Sequence, residues 1–374
     1  MKTQLRSALF ALALMSLGLS TPALAAAPFD CRVLDHGLYW FGLGNTSQKA
    51  VPGVSNPYYN GAKPTVIYVH GWQPDTTTTG KRETFNYKQN DPLYGVDVNL
   101  ADAWINKGWN VGIYYWNQFA DEPEVRNAET KIWTALGPQA MRWRQCDGTY
   151  TTTGSPALSA GELFYNAIVA NLGTSYVGTN LRIVGHSLGS QMALVVSKKL
   201  SDAVTAGTLN ARLRPTRVAL MDPFWSKDGK TYLGGKWTGE VSRDHVTALK
   251  NAGVIFERYK SSNINDLFIG DSNQPLTTLI GQTELVPEWI PNTNQSQRHV
   301  AAPNLYFYSF AYTPPPECST DAFNNRTCAG TAASASTNDV RTREMMNSTY
   351  TWIQTGQGIL TPVPSDNLFD RKAR

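Results

Sequence analysis

Beyond its first two dozen residues, this 374-residue chain has no run of about 18 apolar residues, so the rest offers no helical membrane span. It also lacks an excess of one charge. Lys and Arg number 33 against 29 Asp and Glu, and two of the cations, Lys2 and Arg6, lie in the leader described below, leaving 31 against 29. That balance gives no electrostatic footprint for nucleic acid. Cysteine is held to four, Cys31, Cys146, Cys318 and Cys328, with no Cys-x-x-Cys and no Cys/His cluster, which excludes an ordinary zinc site. No internal repeat is present. Charged residues are 17% and hydrophobic residues 41%, the profile of a globular chain. Eleven Trp stand out. Their ordinary reading is a Trp-rich core; the functional one is an aromatic surface for lipid or carbohydrate.

The N-terminus reads as an address. Lys2 and Arg6 precede the apolar stretch Ala8 to Leu19, and Ala23-Leu24-Ala25 is a small-x-small cleavage site. Residues 1–25 are therefore expected to be a signal peptide, and 26–374 one catalytic domain with long loops and a C-terminal extension. The product is expected to be secreted, extracellular or periplasmic. In that oxidising setting the four cysteines should pair. Cys318 and Cys328 enclose a loop of turn formers, Ser319 to Thr327, so they are paired locally, and Cys31 with Cys146 follows by elimination.

Strand and helix signals alternate through the middle. Strands are predicted over 64–70, 110–116, 181–184, 216–221, 254–259 and 304–310, and helices over 100–108, 161–171, 191–200 and 245–251. Apolar strands separated by helices imply a mostly parallel central sheet with helices on both faces. Residues 329–338 read as a low-complexity loop or linker.

Gly185-His186-Ser187-Leu188-Gly189 matches G-x-S-x-G, and its setting gives it weight. A strand runs straight into it and a helix straight out, so Ser187 sits on a strained turn at the carboxyl edge of the sheet, near a helix N-terminus. A nucleophilic serine needs two N–H groups for the oxyanion. Leu188 supplies one, and the turn His70-Gly71-Trp72, after the strand Val66 to Val69, supplies the other from Trp72. It also needs a base held by a carboxylate, in the order Ser, acid, His. Of five His, only His245 and His299 follow Ser187 with room for an acid between. His245 follows Asp244 at a predicted helix start, a cap or a solvated face. His299 lies in a loop leading to the last predicted strand and is taken as the base. Asp222, ending the strand Arg217 to Met221 and followed by Pro223, is taken as the acid, with Asp266 and Asp271 as competitors.

These residues give the chain its resemblance to secreted lipases of the α/β-hydrolase superfamily, and most of all to the pancreatic and lipoprotein lipase family. Val69-His70-Gly71-Trp72 resembles the family's oxyanion turn, Leu220-Met221-Asp222-Pro223 its acid, and His299 followed by Tyr306, Tyr308 and Ser309 its histidine segment. The likeness covers roughly residues 65–312. It departs in lacking the family's C-terminal sandwich and any Cys pair between Cys146 and Cys318 that could bound a lid. The resemblance implies an α/β-hydrolase fold and a triacylglycerol lipase or carboxylesterase. Such an enzyme needs no cofactor or metal, and its partner is lipid or another ester substrate, met in some cases at a lipid–water interface. A phospholipase A1, a polyester depolymerase, a peptidase and a non-catalytic lipid-binding relative are the rival readings. The apolar stretches 275–281 and 285–291 are candidates for a lid or acyl wall, with Trp225 and Trp289 as companions of Trp72 around the pocket.

Overall fold

The computed structural model describes residues 29–264 and 270–374; the expected signal peptide and Asp266 lie outside the described residues. The strands are β1 Gly37–Phe41, β2 Ser47–Lys49, β3 Thr65–Val69, β4 Asn110–Tyr115, β5 Trp143–Arg144, β6 Tyr150–Thr151, β7 Leu181–His186, β8 Arg217–Met221, β9 Ile255–Lys260, β10 Gly281–Glu284, β11 Pro316–Thr320, β12 Arg326–Thr331, β13 Tyr350–Thr355 and β14 Leu368–Ala373. The helices are α1 Tyr87–Asn90, α2 Leu100–Asn106, α3 Asn117–Ala120, α4 Val125–Trp133, α5 Ala160–Leu172, α6 Leu188–Thr205, α7 Thr238–Asn251, α8 Gln295–Ser309 and α9 Asp339–Met346.

Twelve strands form one sheet in the order β12-β11-β14-β13-β10-β9-β8-β7-β3-β4-β1-β2. From β13 through β4 every neighbouring pair is parallel. Strands buried on both sides must be apolar on both sides. In β3, Ile67 and Val69 enter one core and Val66 and Tyr68 the other. The first core is closed by α5, α6 and α7 through Phe164, Met192 and Val246, the second by α2 and α8 through Trp104 and Phe307. The chain thus adopts the expected α/β-hydrolase architecture. Five tryptophans, Trp40, Trp104, Trp116, Trp225 and Trp352, are almost wholly buried, which is the core reading of the Trp count. Both expected disulfides form, Cys31–Cys146 and Cys318–Cys328.

Two expectations fail. Residues 304–310 are no strand but the end of α8, whose start is capped by Asn294 accepting from the Gln297 N–H. An apolar aromatic run fits either period when it is buried all round, and Leu305, Tyr306 and Phe307 all are. Residues 329–338 are no linker. Ala332, Ala333, Ser334, Ala335 and Thr337 are buried, and their small side chains let the loop tuck beneath the sheet. There Arg182 donates to the Ala335 carbonyl at 2.8 Å, and Arg217 to the Thr337 and Ser334 carbonyls at 2.7 and 3.0 Å. In the C-terminal part of the chain, β13 and β14 carry the sheet onward from β10.

Candidate active site

The carboxyl edge of β3, β7, β8 and β9 gathers the groups that the sequence singled out. Ser187 stands between β7 and α6 at φ 54°, ψ −124°, a conformation rarely adopted by a residue with a Cβ. Its N–H donates to the Met221 carbonyl at 3.0 Å and its carbonyl accepts from Phe224 at 3.3 Å, so the turn is bound to the end of β8. The glycines on either side are demanded by contact. A Cβ on Gly185 would lie 2.3 Å from the Gly189 oxygen, and one on Gly189 2.3 Å from the Val69 oxygen.

Asp222 follows β8 directly and is wholly buried, at φ 39°. His299, on the second turn of α8 rather than on the expected loop, donates from Nδ1 to Asp222 Oδ2 at 2.7 Å. Two residues invisible to motif reasoning complete the carboxylate's shell. The Ser261 N–H donates to Oδ1 at 3.2 Å and the Ser262 hydroxyl donates to Oδ2. Both follow β9, the strand beside β8, and that adjacency was the one available signal. With Nδ1 committed to the carboxylate, Nε2 of the neutral imidazole is left as the proton acceptor. Among the competitors, Asp271 is engaged by the Asn273 N–H, and His245 packs on Trp133; neither lines the cavity that holds Ser187 and His299.

The turn after β3 is built around a second histidine. A Cβ on Gly71 would fall 2.5 Å from the Ser187 Cβ, so the peptide leading to Trp72 lies against Ser187. His70 is fully buried. Its Nδ1–H donates to the Gly71 carbonyl at 3.0 Å, its Nε2 accepts from the Trp116 N–H at 3.3 Å, and Trp116 Nε1–H returns a bond to the His70 carbonyl at 2.9 Å. Burial lowers its pKa to about 4, so the ring stays neutral and keeps this donor–acceptor pattern. The Trp72 indole donates to the Glu122 carbonyl at 2.6 Å. Trp72 and Leu188 thus both stand beside Ser187.

Ser187, His186, His299 and Trp72 open on a cavity of about 760 Å³. Its walls include Phe85, Leu100, Phe224, Val125 and Phe307, with Glu83 as a carboxyl that no motif marked. Tyr68 donates to Glu83 Oε2 at 2.7 Å and Gln73 donates to Oε1, while burial raises its pKa. The expected lid stretches do not reach this cavity. Leu276 and Ile280 pack in one core, Leu285 and Ile290 in the other, and neither Trp225 nor Trp289 lines the wall. Among the described residues no group of three or more His, Cys, Asp or Glu could hold a metal ion.

No protein-family model matches the sequence, and no curated protein does. Solved structures with a likeness include the Pyrococcus horikoshii acylaminoacyl peptidase (9% identity, 60% of this chain, 32% of that one, TM-score 0.26). Another is an ester hydrolase from the metagenome of Lake Arreo, complexed with a bipyridine phosphonate derivative (15%, 61% and 56%, TM-score 0.23). A third is a membrane phospholipase A described as a bacterial virulence factor (9%, 64% and 73%, TM-score 0.24). The chain spans about a third of the first of these and just over half of the second. Likeness at this level carries no statement about substrate.

Proposed function

We propose that this chain is an exported serine hydrolase of carboxylic esters, a lipase or carboxylesterase, with Ser187 as nucleophile, His299 as base and Asp222 as its orienting carboxylate. The observation that carries the reading is the buried Nδ1–Oδ2 bond of 2.7 Å between His299 and Asp222 at the cavity that also holds the strained Ser187. His299 Nε2 takes the Ser187 proton as Oγ attacks the ester carbonyl. The N–H groups of Leu188 and Trp72 bear the charge on the tetrahedral oxygen, which in such sites lowers the barrier by about 3 kcal/mol per donor. His299 then gives its proton to the departing alcohol, and water repeats the sequence on the acyl-enzyme.

The cavity wall sets Trp72, Phe85, Leu100, Val125, Phe224 and Phe307 beside Lys81, Glu83 and Arg126, and its apolar part supports an ester with an apolar acyl or alkyl group over a peptide. Two disulfides support maturation in an oxidising compartment, and among the described residues no helix is long and apolar enough to cross a membrane. We take residues 26–374 as one catalytic unit, because one sheet draws strands from Gly37 to Ala373.

The test is hydrolysis of p-nitrophenyl esters of increasing acyl length, with phospholipid vesicles and polyester films beside them. Activity on the esters that vanishes in a folded Ser187→Ala variant is the expected result. Wild-type turnover by Ser187→Ala would sink the assignment, and activity on peptides alone would replace it with a peptidase.

A further inference from the structure

His186 is a buried imidazole that the proposed chemistry leaves idle. It stands next to Ser187 in sequence, is 4% exposed, and its ring centroid lies 4.5 Å from that of His299. Its Nε2 is 3.2 Å from the main-chain carbonyl oxygen of His299. A carbonyl can only accept, so Nε2 carries the hydrogen. Its Nδ1 is buried with no hydrogen-bond partner, which fits a neutral ring with a bare lone pair there. Burial holds the ring's pKa well below its ordinary value.

The reason for this bond lies four residues further along the chain. His299 sits in α8, where each carbonyl ordinarily receives the N–H of the residue four positions on. For His299 that residue is Pro303, which has no N–H to give. Pro303 therefore opens a gap in the helix ladder at the carbonyl of the proposed base. An orphaned carbonyl in this buried setting is unfavourable and leaves its peptide free to tilt. The adjacent carbonyl, that of Val300, is likewise served by a side chain, Asn304 Nδ2 at 3.0 Å.

We propose that His186 is a positioning residue whose Nε2–H stands in for the amide hydrogen that Pro303 lacks, and so fixes the main chain of His299 beside Ser187. The nucleophile's own turn thereby holds the base, and neither can shift without the other. The proposal rests on His299 acting as the base. If that reading fails, His299→Ala keeps its activity; the experiment below instead compares variants that all retain Ser187, His299 and Asp222.

The test is a double-mutant cycle read on a soluble p-nitrophenyl ester. His186→Phe keeps the ring volume and removes the donor. It should lower kcat by roughly 10- to 100-fold with KM little changed, the effect of a small misplacement of a reacting group. Pro303→Ala restores the missing N–H, so in that background His186→Phe should lower kcat by no more than about threefold. Equal losses with and without Pro303→Ala would overturn the proposal, because packing alone would then account for them. Nitrogen NMR of the unmutated protein gives a second readout that does not depend on how the variants fold. His186 should show the Nε2–H tautomer, unchanged between about pH 5 and 8; the Nδ1–H tautomer would overturn the proposal.

Discussion

Gly71 has no freedom to be anything else, because its missing Cβ is the space in which the proposed oxyanion turn meets Ser187. In Gly71→Ala the added carbon would lie 2.5 Å from the Ser187 Cβ, so either the turn or Ser187 must move. The expected result is a fall in kcat of about 100-fold, with binding of substrate much less affected. Asp222→Asn should be more severe, about 10⁴-fold in kcat, because an amide no longer selects the Nδ1–H tautomer of His299; its loss should be visible in steady-state rates on any ester the wild type cleaves. His70 makes a prediction about stability. Its pKa of about 4 in the folded chain lies below the ordinary value near 6.5, so the unfolded chain takes up the proton first. The His70 contribution, roughly 3 kcal/mol, is full above about pH 6.5 and is lost as the pH falls towards about 4. Urea midpoints at neutral pH and near pH 4.5 should differ in that direction. The proposed triad was legible in the sequence because each member ends a strand or follows in the required order. Ser261, Ser262, Glu83 and His186 were not, because their partners come from segments 15 to 113 residues away or from a neighbouring strand whose side cannot be read from one chain.

At the scale of elements, most of the expected strands and helices of the sheet core formed where the periodicity put them, with α6 longer than its apolar core implied. The failure at α8 has a cause in the residues. Pro303 breaks the helical signal, and the aromatic run after it is buried on all sides, so no polar face remains to mark the period. The capping Asn294 was the missed sign. The two disulfides act on elements of different reach. Cys318–Cys328 ties β11 to β12 across 10 residues, whereas Cys31–Cys146 closes 115 and ties the chain's first described residues to the loop between β5 and β6. Loop-closure entropy assigns about 3 kcal/mol to the first and about 5 kcal/mol to the second. Replacing both cysteines of a pair with serine should lower the thermal midpoint in both cases, and more for Cys31 and Cys146.

The whole molecule is organised about β7, β8 and β9, which carry the site at one end and a buried ion pair within. Arg217 donates to Glu257 Oε1 at 2.7 Å and pairs with its other oxygen at 2.5 Å, and Tyr259 and Tyr306 add their hydroxyls at 2.9 Å each. Removing one partner, as in Glu257→Gln, leaves Arg217 under-compensated and should cost about 3–5 kcal/mol, measured by denaturant unfolding. The sequence showed the parallel core of the sheet but not its width, because a run of small residues such as 329–338 reads alike whether it is a tether or a buried floor. That floor also sets a timetable. Arg182 and Arg217 stand at the beginnings of the strands that end in Ser187 and Asp222, and the carbonyls they need come 153 and 120 residues later in the chain. In a polypeptide emerging N-terminus first, the two guanidinium groups beneath the proposed nucleophile and acid stay short of those carbonyls until 153 and 120 further residues have been added. The floor beneath those two strands is thus complete only once residues 334–337 have been made.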